Sequence, residues 1–186
     1  MKQILIYLLT YIAINGYYDY EEEISVRQSL GALHWNYASS VFPRYSTAKI
    51  IDVVTQKTFY VKRTFGRNHA DVEPLTKEDT YIIRTLWGGS DSWERRAVIV
   101  VIDGYKIAAS MNGYAHAGLD RYPVLATVNN RSGGFGRGIN LDMVKGNGVD
   151  GHFCLHFYGS RTHGSGRVNS QHQDQISIAR TFLEQN

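Results

Sequence analysis

Side chains that bind metals or attack carbonyls recur at alternate positions in the stretch GHFCLHF, Gly151 to Phe157. In an extended strand, His152, Cys154 and His156 project from one face, and Phe153, Leu155 and Phe157 from the other. Three bulky apolar groups in a row belong in a core. The opposite row carries two imidazoles and the only thiol of the chain. A solvated surface explains that row poorly, because Cys is seldom exposed. A second row lies in RNHADVEPLT, where His69, Asp71 and Glu73 alternate just before Pro74. Imidazole and carboxylate together suit zinc in a tetrahedral site with one position open to water. We take His69, Asp71 and His156 as candidate ligands, with His152 and Glu73 as candidate general bases toward that water. His116 in NGYAHAGLD and His163 in GSRTHGSG lie in glycine-containing loops, a common setting for active-site groups, and are candidates for transition-state stabilisation or substrate contact. Cys154 is either an accessory ligand or, alternatively, a nucleophile served by His152, His156 or His116. A lone histidine is more often structural or solvated, and His34 and His172 are read so.

The elements that must position these groups follow from periodicity. Val26, Leu30, Leu33 and Tyr37 recur at helical spacing, which predicts an amphipathic helix from Glu21 to Ala38, ended before Pro43. TAKIIDVVTQKTFYVKRTF reads as a hairpin turning at Thr55-Gln56-Lys57, with the His69 row directly after it. In LTKEDTYIIRTLWGG, Thr76 and Asp79 form a capping-box signature, Ile82, Ile83 and Leu86 an apolar stripe, and Gly88 a stop. RRAVIVVIDGYKIAASMNG predicts a second hairpin turning at Asp103-Gly104. Tyr122 to Gly148 is rich in Gly and Asn and predicts a long functional loop, with GGFGRG a flexible segment inside it. A C-terminal helix is expected from about Ser170 to Glu184, with Ile176, Ala179 and Leu183 inward. The whole predicts an α+β fold: a mostly antiparallel sheet or small barrel, an N-terminal helical segment over 1–43, and one catalytic domain over 44–186.

Composition narrows the function classes. The chain has 186 residues, 43% hydrophobic and 20% charged, which describes a globular protein rather than a disordered tail. A formal charge of +3 without a Lys/Arg run gives no footprint for nucleic acid. One Cys excludes an internal disulfide and any multi-cysteine zinc finger. The start, MKQILIYLLTYIAING, pairs Lys2 with an apolar run over Ile4 to Ile14. It is signal-like but has no small-x-small cleavage site, and it falls short of the about 20 residues that span a bilayer.

From AKIIDVVTQKTFYVKRTFGRNHADVEPLTKEDT through VIDGYKIAASMNGYAHAG to DGHFCLHFYGSRTHGSGRVNSQHQ, the chain resembles a poorly characterised family of Gram-positive and phage proteins. Domains of that family often follow peptidoglycan-binding or SH3-like modules. The resemblance spans about Thr47 to the C-terminus and implies peptidoglycan as partner, at the cell envelope or outside the cell. A more distant likeness is to zinc peptidases of the lysostaphin and D-Ala-D-Ala carboxypeptidase group, which present His, Asp and a later His to one zinc. The present spacings differ: HAD is shorter, and HFCLH sets three residues between its histidines. The expectation is a zinc-dependent peptidoglycan hydrolase cutting a stem or cross-bridge peptide. The alternatives are a cysteine peptidase or L,D-transpeptidase-like acyl transferase using Cys154, and a non-catalytic wall-binding or phage structural module.

Overall fold

Alternating apolar and polar residues along successive hairpins make a sheet with two unlike faces, and this chain closes that sheet on itself. In the computed structural model, which describes residues 28–186, β2 (Thr47–Asp52) and β3 (Thr58–Arg63) form the first expected hairpin. With β1 (Gln28–Gly31) and β4 (Ala70–Pro74) also numbered in chain order, β5 (Ser92–Ile102) and β6 (Tyr105–Gly113) form the second. Asp103 and Gly104 turn it with φ of 47° and 77°, the left-handed pair that matches a tight hairpin to strand twist. β4 pairs antiparallel with β3, so the His69 row belongs to a strand of its own and does not prolong β3. The closing strand, β9 (Phe153–His156), pairs with β4 on one side and β6 on the other. The ring β6-β5-β2-β3-β4-β9 is a closed six-stranded antiparallel barrel. With three helices added, the fold is α+β.

The barrel interior is filled by one side of every strand: Ile50, Phe59, Val61, Val72, Val98, Val100, Ile107, Met111, Phe153 and Leu155. Trp35 of α1 (Trp35–Val41) and Ile83 and Leu86 of α2 (Lys77–Leu86) join this core. The capping box forms as expected: Thr76 Oγ1 accepts from Asp79 N at 3.1 Å, and the Asp79 carboxylate accepts from Thr76 N at 3.0 Å, an arrangement worth about 1 kcal/mol. Asp79 also accepts from Tyr60 N at 2.7 Å, tying α2 to β3. On the barrel exterior, α3 (Ser170–Gln185) lays Ile176 and Ala179 on Ala97, Ile99 and Ala108 of β5 and β6.

Two expectations need correction. Residues 1–27, including the signal-like start and most of the first turns of the expected 21–38 helix, lie outside the described residues. Within 28–38 the chain is not one helix: Gln28–Gly31 is a strand parallel to β6, and α1 starts only at Trp35. Gly31 takes a left-handed φ of 58° and His34 caps the new helix, so helical spacing is broken between them. Residues 28–31 thereby extend the barrel's own sheet instead of forming a helical appendage. The stretch from Tyr122 to Gly148 is also not wholly loop. It contains a two-stranded ribbon, β7 (Thr127–Arg131) and β8 (Gly136–Ile139), joined by a single 3-10 turn. Glycines at 136 and 138 hide β8 from any propensity argument. No described helix is long and apolar enough to cross a membrane.

Candidate functional site

Pairing of β4 with β9 sets Asp71 directly opposite Cys154. Their neighbours Ala70, Val72, Phe153 and Leu155 point into the barrel, so Asp71 and Cys154 point out of it. One step further along the same register, His69 meets His156, with ring centroids 4.1 Å apart. Beyond β6, His116 and His152 exchange both backbone hydrogen bonds at 3.0 Å, and their rings lie 4.5 Å apart. The loop after β9 returns His163 over Asp71, Nε2 to Oδ1 at 3.0 Å. His172, on the first turn of α3, stacks on His156 at 3.8 Å. Six of the chain's seven histidines thus converge on one outer patch of the barrel.

Three of these imidazoles are held in the same way. Nδ1 of His69 bonds the Arg161 carbonyl at 2.7 Å, Nδ1 of His116 the Tyr114 carbonyl at 2.9 Å, and Nδ1 of His152 the Leu141 carbonyl at 3.3 Å. A carbonyl only accepts, so each Nδ1 carries the proton and each Nε2 keeps a lone pair. Those lone pairs face inward. His69 Nε2 lies 3.4 Å from Asp71 Oδ1 and His152 Nε2 lies 3.7 Å from Asp71 Oδ2, yet neither nitrogen has a hydrogen-bond partner. Two acceptors facing a carboxylate across a buried gap repel one another, and each unpartnered group costs about 1–3 kcal/mol. A cation between them would reverse the sign. Carbonyl-anchored imidazoles with free inward nitrogens are also how metal-binding histidines are oriented. Ligand atoms of His69, Asp71, Cys154 and His163 all lie within 4.8 Å of one another, and this buried cluster could hold a metal ion.

Burial sets the protonation states. It lowers His69 to about 4 against the pull of Asp71, and lowers His116 to about 4, with His152 adding to the effect. His152 and His156 are pushed down as well, again by burial. Asp71 would be raised by burial, but the imidazoles of His152, His163 and His69 bring it down to about 2. His163, half exposed, is raised by its hydrogen bond to Asp71. The Cys154 thiol is pushed up, first by burial and then by the Asp71 charge. At neutral pH the site therefore presents the Asp71 carboxylate and a neutral His69, as metal ligation requires, whereas the Cys154 thiol would have to give up its proton on binding.

The structure brings together His69, Asp71, His152, Cys154, His156, His163 and His116, and sets Glu73 apart in its bonding. Both Glu73 oxygens accept from the backbone of Met143 at 3.0 and 2.9 Å, and one also from Val144 at 2.8 Å. Burial raises this carboxyl to about 7. Glu73 ties down the loop before β9 and is not free to take a proton from water. His156 lies between the faces of His69 and His172 and is outside the compact group of four, where Cys154 and His163 stand instead. His172, read from sequence as structural or solvated, is buried at the far side of that stack, with Nδ1 2.8 Å from Ser110 Oγ. Trp93 and Phe135 flank His116 at 5.1 and 4.9 Å, so the ribbon turn borders the site. Sequence alternation pointed to the two rows. The Arg161, Tyr114 and Leu141 carbonyls that fix the imidazoles carry no sequence signal, because any residue supplies a carbonyl. No protein-family model, curated protein or solved structure matches this chain.

Proposed function

We propose that this protein is a zinc-dependent hydrolase of peptidoglycan, cutting a peptide bond of the stem or cross-bridge at the cell envelope. One observation carries the metal: two buried, proton-free imidazole nitrogens, of His69 and His152, face the two oxygens of Asp71 and have no hydrogen-bond donor among the described residues. His69, Asp71 and Cys154 would hold the ion from two hydrogen-bonded strands, and His163 would complete the set from a loop. Imidazole, carboxylate and thiolate donors suit zinc over magnesium or calcium. Zinc bound there would polarise a scissile carbonyl and acidify water. His152 Nε2, neutral and unpartnered, is the group placed to take a proton, and Asp71 Oδ2 beside it steadies the imidazolium that results. Half-exposed His163 would meet a substrate carbonyl from the solvent side, with buried His116 behind it. The substrate class rests on the family resemblance from Thr47 onward.

A second reading is favoured by one distance. Cys154 Sγ lies 3.6 Å from His116 Nε2, whose other nitrogen is fixed on the Tyr114 carbonyl, an arrangement also suited to nucleophilic acyl transfer. Burial and the neighbouring Asp71 charge oppose a thiolate in the metal-free protein, which is why the metal reading leads. Elemental analysis of the purified protein, followed by wall digestion with chelator and with added zinc, separates the two. We expect about one zinc per chain, loss of digestion on chelation and recovery with zinc, with measurable activity left in Cys154→Ser. Full activity in metal-free protein, with Cys154→Ser inactive, would replace the metal reading by the thiol one.

A further inference from the structure

Beside the histidine patch, a separate cavity of about 270 Å³ opens between α1 and the two loops that flank the site. Its walls include Arg67, Arg161, Asn36, Asn68 and His34, and among the described residues no carboxylate lines it. The backbone around the arginines is pinned. Trp35 Nε1 donates to the Arg67 carbonyl at 2.9 Å, Arg161 N donates to the Asn68 carbonyl at 2.9 Å, and Asn68 Nδ2 donates to the Thr162 carbonyl at 3.2 Å. Neither guanidinium makes a hydrogen bond or ion pair among the described residues. Two arginines on a fixed backbone frame, lining one polar hollow with no carboxylate among the described residues, suit an anion. The hollow is also coupled to the candidate centre. Asn68 directly precedes His69, and the carbonyl of Arg161 is the one that orients the His69 ring.

We infer that this cavity is a carboxylate-binding subsite in which Arg67 and Arg161 take the free carboxylate of a peptide whose scissile bond lies at the histidine cluster. The peptide identity rests on the proposed hydrolase function; the anion site does not. The planar guanidinium fork matches a carboxylate through two parallel hydrogen bonds, and the carboxamides of Asn36 and Asn68 can donate to the same oxygens.

The test uses the full chain and two probes that differ in one group: N-acetyl-alanyl-alanine as the free acid, and its C-terminal amide. Binding is followed by the side-chain Nε–H resonances of Arg67 and Arg161. The acid should shift both resonances to saturation, and the amide should bind at least about tenfold more weakly. Arg67→Gln and Arg161→Gln, both at exposed positions, should each weaken the acid by about tenfold with no change in melting temperature. If acid and amide bind alike, or if neither shifts the arginines, the subsite is refuted. Inorganic phosphate binding at least tenfold tighter than the acid would also overturn it, by making the hollow a phosphate site. Saturable acid binding in a protein that digests no wall would retain the subsite and remove the hydrolase reading. Wall digestion with unshifted arginines would do the opposite.

Discussion

Two patches of the barrel's outer surface are buried by quite different means. Over β5 and β6, Ala97, Ile99 and Ala108 are covered by Ile176 and Ala179 of α3, apolar against apolar. Over β4 and β9, the same side of the same sheet carries Asp71, Cys154 and the histidines, covered by loops and by other imidazoles. The first patch gains free energy by leaving water, at about 25 cal/mol per Å² of apolar surface. The second loses it, because it buries a carboxylate and leaves imidazole nitrogens without partners. A protein that could have sealed both patches with a helix instead keeps one costly. That contrast fits a cluster that could hold a metal ion.

The sharpest way to break the contrast is His69→Ala. It removes a ligand-capable nitrogen at the centre of the polar patch, and we expect metal uptake to be lost and wall digestion to fall at least about a hundredfold, read by elemental analysis and a turbidity assay. Unchanged metal content would remove His69 from the centre. On the apolar patch, Ile176→Ala should cost about 2–5 kcal/mol of unfolding free energy in a urea titration, through the cavity it opens. Metal stoichiometry should stay the same; if it falls with stability, the two patches are one cooperative unit. Glu73→Gln should cost less, about 1–2 kcal/mol, and should raise proteolytic nicking near Met143 and Val144, because a carboxamide puts an NH2 donor where the second oxygen now accepts from Met143 N.

The smallest effect concerns pH. His69 and His116 sit near 4 and His172 near 3, against 6.5 for an unperturbed imidazole. The unfolded chain therefore takes up protons first as pH falls. Their contribution to metal-free stability is intact above about 6.5 and is lost progressively toward about 4 and below. Glu73, raised to about 7 from 4.5, works in the opposite direction between those values, as do the raised Asp142 and His163, but five buried imidazoles are lowered, those of His152 and His156 included. The urea midpoint of metal-free protein should be lower at pH 5 than at pH 7.5. A higher midpoint at pH 5 would mean that the buried histidines are already charged in the fold.

Much of this was legible in local sequence. Hairpin turns at Asp103-Gly104, the Thr76–Asp79 capping box and the alternating rows at His69 and His152 all act over a few residues, and those features appear where they were expected. What escaped the sequence depends on distant partners. Closure of the barrel rests on β9 reaching β6 as well as β4, and nothing within GHFCLHF states that it has two neighbours. His163 was legible only as a loop histidine, and its approach to Asp71 depends on the path of the chain after β9. Cys154 and His163 stand in the compact group, while His156 stacks on His172, a residue of another element. The glycines of β8 misled in a different way, since composition there argues against the strand that pairing imposes, and around Gly31 the helical spacing of Leu30, Leu33 and Tyr37 masked the break that the glycine marks.

Because β9 is bonded on both flanks, Leu155 is paired at once with Ala70 of β4 and Met111 of β6. Its amides can meet solvent only when the ring itself opens, so they should be among the slowest in the molecule to exchange hydrogen for deuterium. The stave that carries Cys154 cannot breathe alone. Any local opening at this patch must then come from the segments around it, the turn bearing Phe135 and the loop bearing His163, while the strand keeps time only with global unfolding.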